Sequence, residues 1–159
     1  AMVDAEDSAE RFTAAGGNGV VLRFGQFVQP ESPMTQALLD GAAKGRVPLV
    51  GRPDAYQSMV DVGDAAAGVV AALDAPAGTY NVCEERPATR AEHLAALEAV
   101  VGHRVRMLPR AAAMVPVMAF IARSQRVSSH RFVEATGWRP TVPAVVDAWP
   151  AVARAIAAS

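Results

Sequence analysis

The chain has 159 residues and a net charge of −1, with 52% hydrophobic and 19% charged side chains. These are the size and polarity of one globular domain with a sizeable core, and they exclude disorder and collagen-like repeats. No apolar run approaches the roughly 18 to 20 residues of a membrane-spanning helix, and the acidic N-terminus is unlike a signal peptide, so a soluble, cytoplasmic protein is expected.

The elements follow from periodicity and punctuation. Residues 3–15 read as a helix, and GVVLRFG at 19–25 is a continuous apolar run of strand length, the pattern of a buried parallel strand. Ser32 followed by Pro33 marks a helix start, with a stop at Gly45. Val47 to Val50 is a short strand, Tyr56 to Val62 an extended segment, and Asp64 to Leu73 a small-residue helix packed closely on a neighbour. GTYNVC at 78–83 is a strand and should lie parallel to 19–25, both apolar on both faces as a covered sheet requires. Thr89 and Glu92 have capping-box spacing before a helix that ends at Gly102. A strand over Val105 to Leu108 precedes a helix at 110–122, which is apolar on every side and carries a kink at Pro116; it is either a core helix or a contact for a partner or membrane surface. A helix from Ser128 or Ser129 stops at Gly137, and Pro143 opens the last. Strands alternate with helices throughout, so the class is α/β.

Several chemistries are excluded. There is no G-x-G-x-x-G, P-loop, G-x-S-x-G or H-E-x-x-H motif, and the GGNG cluster at 16–19 precedes a strand rather than following one, so it turns the chain and cradles no phosphate. His93, His103 and His130 lack metal-ligand spacing and read as surface or helix-end residues; no metal site is expected. The lone Cys83, which can form no internal disulfide, reads as a structural thiol, its pKa raised by Glu84 and Glu85. The chain has 14 Arg, one Lys and 34 Ala, a skew expected of a GC-rich bacterial coding sequence. Residues 1–101 carry 7 basic and 14 acidic side chains, whereas 102–159 carry 8 and 2. Without interleaved aromatics these arginines suggest solvated helix faces or an anion-binding patch, and no nucleic-acid partner.

Five segments stand in a suggestive order: GVVLRFGQFVQP at 19–30, PLVGRPDAYQSMVDVGDAA at 48–66, GTYNVCEERPATRAE at 78–92, RVRMLP at 104–109 and SSHRFVEATGWRP at 128–140. The combination resembles the C-terminal half of extended short-chain dehydrogenases, the NAD-dependent epimerase/dehydratase family. Leu22, Arg23 and Pro30 match the first family motif. Val62 and Asp64 match the second, Tyr80, Asn81 and Val82 the third, and Gly137, Trp138 and Pro140 the last. The resemblance implies the distal part of an NAD(P)-binding Rossmann-like fold plus a small C-terminal substrate-binding α/β subdomain. Residues 1–30 and 61–83 would be the last Rossmann strands and helices, and 31–60 and 84–159 the substrate-binding subdomain. The N-terminal dinucleotide-binding half, on the order of 150 residues, would be absent, making the chain a fragment.

The departures from the family pattern are as informative. Gln26 stands where the family often has a substrate-contacting Asn and keeps an amide. Asp61 stands at a His position. Gln57 replaces an arginine that nucleotide-sugar enzymes set against the diphosphate, which argues against such a substrate. Gln26 and Gln57 are therefore the substrate-binding candidates, and Phe24 and Gly25 the cofactor-binding ones, at the nicotinamide end. The family's Tyr-x-x-x-Lys pair is missing: the single lysine is Lys44, and neither Tyr56 nor Tyr80 has a lysine at that spacing. If Glu10 aligns with the glutamate that follows that motif, Met2 and Glu6 take the Tyr and Lys positions. No catalytic residue is assigned, and this chain alone is expected to be inactive and to bind NAD or NADP weakly or not at all. Its parent would be an NAD(P)-linked oxidoreductase or epimerase with a small-molecule substrate, or a dehydrogenase-like binding or sensing protein without catalysis; an unrelated α/β domain is the third reading. An open strand edge at 19–25 and the apolar 111–122 segment point to a homo-oligomer.

Overall fold

The computed structural model describes residues 2–109, 119 and 121–158; the apolar helix expected over 110–122, with its kink at Pro116, lies almost wholly outside them. Helix α1 (Met2–Ala14) runs into β1 (Val20–Phe24) through the glycine cluster. The Arg23 guanidinium grips Glu6 through two hydrogen bonds of 2.8 and 2.6 Å, tying α1 to β1.

β1 pairs in parallel with β6 (Gly78–Val82), in register from Val20–Gly78 to Phe24–Val82, as the two apolar runs predict. The covering of both faces is not found: β1 is half-buried along its length and Arg23 is exposed. Between the two strands in sequence lies α3 (Val62–Ala71), prolonged by a 3-10 turn over Ala72–Asp74. It starts two residues before the expected position because Asp61 caps it, its carboxylate accepting from the Gly63 and Asp64 N–H groups at 2.8 and 3.3 Å. Its small residues allow close packing: a Cβ on Gly68 would come within 3.0 Å of Val82.

At Gly25 the chain leaves the β1–β6 pair and enters β2 (Gln26–Val28), which pairs in parallel with β5 (Met59–Asp61). Only glycine fits here, since a Cβ would sit 2.9 Å from the Met59 carbonyl carbon. Helix α2 (Pro33–Ala43) begins with Pro33 as expected, but the Ser32 side chain makes no capping bond. The remaining strands are shorter than the apolar runs suggest. β3 (Arg46–Val47) pairs in parallel with β8 (Arg106–Met107), and β4 (Tyr56–Gln57) antiparallel with β7 (Ala88–Thr89).

Helix α4 (Arg90–Val101) carries the complete Thr89–Glu92 capping box and ends at Gly102 in the left-handed conformation, φ 74°. Helix α5 (His130–Thr136) ends at Gly137 in the same way, φ 72°. Helix α6 (Val145–Ala157) opens after Ala144 rather than at Pro143.

Two cores result. One gathers Leu38, Leu39, Val47, Leu97, Val145 and Trp149 from α2, β3, α4 and α6. The other gathers Ala65, Tyr80, Val82, Phe132 and Trp138 from α3, β6, α5 and the loop after it. They meet at β5, where successive side chains alternate: Met59 belongs to the first and Val60 to the second.

Candidate functional site

Just past the carboxyl end of β1, a cavity of about 440 Å³ lies between β2, α2, β4 and the start of α4. Its wall is largely apolar, with Phe27, Met34, Leu38, Leu49, Val50 and Ile121, and four polar residues line it: Gln26, Ser32, Gln57 and Arg90. An apolar hollow with a few convergent polar groups is the usual form of a small-molecule site. Phe27, Met34 and Ile121 remain partly exposed at its mouth.

The structure brings the two predicted glutamines together, the Gln57 side-chain amide donating to Gln26 Oε1. Their placement is fixed by main chain. The Gln26 N–H donates to the Ser58 carbonyl at 3.0 Å within the β2–β5 pairing, and Gln57 sits in β4 opposite Ala88. Phe24 and Gly25 stand at the end of β1 but do not line this cavity; Phe24 lies against the Phe27 ring at 5.3 Å, and Gly25 against the Met59 main chain.

Arg90, which sequence reasoning missed, is the residue of α4 that follows the capping Thr89. Its side chain is 1% exposed. Nη2 donates to the carbonyls of Ile121 and Arg123 at 2.7 and 2.8 Å, and Nη1 has no partner. No carboxylate among the described residues pairs with it. Burial lowers its pKa from the usual arginine value. One signal was available in the sequence: a cation in the first turn of a helix sits at the positive end of the dipole, so helix stability does not explain it.

Two further buried ionisable groups lie outside the cavity. His93 is not a surface or helix-end residue but is 1% exposed in the first core. Its Nδ1 accepts from Trp149 Nε1 at 3.0 Å, which places the ring proton on Nε2, and burial pushes its pKa down to about 4. Glu84 is fully buried, accepting from the Met59 and Val145 N–H groups at 2.8 and 2.7 Å; burial outweighs those donors and raises its pKa to about 7. Both are fasteners between elements. Cys83 is buried and its thiol is pushed up to about 11, first by burial and only second by Glu84.

The family-like motifs away from the cavity also turn out to be fasteners. The buried Asp64 carboxylate accepts from the Thr141 N–H, the Thr141 hydroxyl and the Val142 N–H at 2.7, 2.7 and 2.9 Å, and Trp138 Nε1 donates to the Asp64 carbonyl at 3.2 Å. Tyr80 is buried with its hydroxyl on the Pro76 carbonyl at 2.9 Å. Among the C-terminal arginines, Arg126 lies over the Tyr56 ring at 4.9 Å and Arg131 over Tyr80 at 5.1 Å, while Arg104 reaches Glu98 at 3.4 Å. No group of three or more metal-ligating side chains occurs among the described residues, and no described helix is long and apolar enough to cross a membrane.

No protein-family model and no curated protein matches the sequence. Solved structures do. A human epimerase family protein with NADPH is 23% identical with a TM-score of 0.74, over 87% of this chain and 49% of its own. The Thermus thermophilus UDP-glucose 4-epimerase in complex with NAD is 24% identical with a TM-score of 0.64, over 91% and 50%. A Bacillus cereus UDP-glucuronic acid 4-epimerase with UDP-glucuronic acid and NAD is 16% identical with a TM-score of 0.68, over 96% and 50%. The chain spans about half the length of each, and its mixed α/β fold is that of half of a Rossmann-type epimerase.

Proposed function

We propose that the chain is the substrate-binding portion of an NAD(P)-dependent epimerase/dehydratase or reductase-like protein. Its substrate would be a sugar or another small carbonyl or hydroxyl compound, and not a usual nucleotide-diphosphate sugar. The observation that supports this best is the cavity itself. It brings Gln26 and Gln57 into contact just past the carboxyl end of a parallel strand, where open α/β sheets hold ligands. An amide at Gln57 gives no bidentate grip on a diphosphate. In this reading the core around Leu38 and Trp149 is the substrate side, and the core around Tyr80 and Val82 continues the cofactor sheet, with α5 attached to it.

In this reading the described residues would not hold a dinucleotide by themselves. The glycines at 16–19 are taken up by packing and turning: a Cβ on Gly17 would collide with the Phe12 ring at 2.4 Å, and the Gly19 N–H is bonded to Thr13 Oγ1 at 3.0 Å. Gly25 is filled by the Met59 main chain. In a longer parent the cofactor's phosphates need a glycine turn that this sequence lacks, leaving Phe24 and Gly25 as nicotinamide-end neighbours. The chemistry needs a Tyr/Lys pair from elsewhere as well, since Tyr80 is buried on Pro76, Tyr56 lies under Arg126, and Lys44 is exposed at the end of α2. The same observation favours a second reading, a dehydrogenase-like binding or sensing protein without catalysis.

Calorimetric titration with NADH and NADPH, of this chain and of a version extended at its N-terminus from the same gene, tests the proposal. The expected result is no micromolar binding by the 159-residue chain and binding by the extended one. Micromolar binding by the short chain, or none by the extended chain, overturns it. Turnover of a carbonyl substrate by the extended chain separates the enzyme from the sensor.

A further inference from the structure

We propose that the Arg90 cavity takes a small carboxylic acid with an apolar body, its carboxylate oxygen received by Nη1 of Arg90, which is closed to solvent in this structure and reaches the ligand by a small shift of the side chain toward the cavity. The inference rests on reading that cavity as the substrate site, and it adds the chemical class of what enters. Arginine stays protonated at any physiological pH, so a charge is enclosed here. Two main-chain carbonyls hold Nη2, while Nη1 has no partner and no carboxylate among the described residues neutralises the side chain. No Asp or Glu is among the described residues that line the cavity. A buried charge with part of its hydrogen-bonding capacity unused is costly, and a ligand anion removes that cost on arrival.

The geometry narrows the anion. Both hydrogen-bonding forks of a guanidinium include Nη2, which is already committed to carbonyls, so a single oxygen is received at Nη1 rather than a bidentate phosphate. Whichever way the two glutamine amides are turned, their mutual bond leaves one NH2 and one carbonyl free. These suit a hydroxyl or carbonyl on the same ligand. The rest of the wall, including Phe27, Met34, Leu38 and Val50, suits hydrocarbon.

The test compares two molecules of one shape, 4-phenylbutanoate and 4-phenylbutanamide, titrated into the 159-residue chain by calorimetry and by amide NMR. The acid is expected to bind at least about 10-fold more tightly than the amide, a difference of the size given by a charge-assisted bond. Both should shift the Gln26, Gln57 and Arg90 signals. Arg90→Met should erase the preference while leaving weak apolar binding; if that variant does not fold, the acid-to-amide ratio of the unaltered chain decides alone. Equal affinities, no binding of either molecule, or shifts confined to other residues overturn the proposal. Because no cofactor is present, carboxylate preference here together with no NAD(P) binding by the extended chain would keep this inference and discard the dehydrogenase reading; the opposite pair of results would do the reverse.

Discussion

Burial acts on Glu84 and His93 in the same sense, favouring the neutral form of each, and the consequences for pH run in opposite directions. Glu84 has a folded-state pKa of about 7 against an ordinary 4.5, so its contribution is fully present below pH 4.5 and is lost as pH rises through 7. His93 has one of about 4 against 6.5, so its contribution is fully present above pH 6.5 and is lost as pH falls through 4. Between pH 4.5 and 6.5 the two slopes cancel. Thermal unfolding should therefore show a plateau in that window. His93→Gln, which removes one of the opposing terms and keeps an acceptor for Trp149, should turn the plateau into a steady decline with rising pH. A melting temperature of the variant that stays level from pH 4.5 to 6.5 would refute the pairing.

Elements are held to one another in this fold by a few carboxylates that accept from main chain. Asp64 is the clearest case, joining α3 to the segment after Trp138 through three donors. Asp64→Asn puts an NH2 where one of those donors points, and should cost about 2–3 kcal/mol in urea unfolding. A loss below roughly 0.5 kcal/mol would show that water serves that segment equally well. Thr89→Ala, which removes the hydroxyl of the capping box, should cost about 1 kcal/mol by the same measurement. Signals of this local kind were legible in the sequence: the capping box, the glycine stops at Gly102 and Gly137, and the two apolar runs that became β1 and β6. The two-residue strands were not, because their length is set by partners far along the chain. The site was legible in half. Gln26 and Gln57 came from motif positions, whereas His93 on α4 depends on which face of that helix the tertiary fold covers, and Arg90 carried only the signal of a cation at the positive end of the helix dipole.

For the molecule as a whole, β1 has β6 as its strand neighbour among the described residues, and Phe12, Val70 and Leu73 are 58%, 66% and 76% exposed. An uncovered strand edge beside apolar surface recruits another chain. Light scattering should show self-association through the β1 edge, α1 or the 111–122 segment; a 16.6 kDa monomer at every accessible concentration would contradict this. The junction at β5 bears on how such a molecule comes apart. Its three residues lend Met59 to one core and Val60 to the other, and Glu84 bonds to Met59 through both its side chain and its main chain. Neither core can then loosen without withdrawing a wall from its neighbour, so the halves share one cooperative transition. Solvent hydrogen should reach the Met59 and Val60 amides only when the entire chain unfolds.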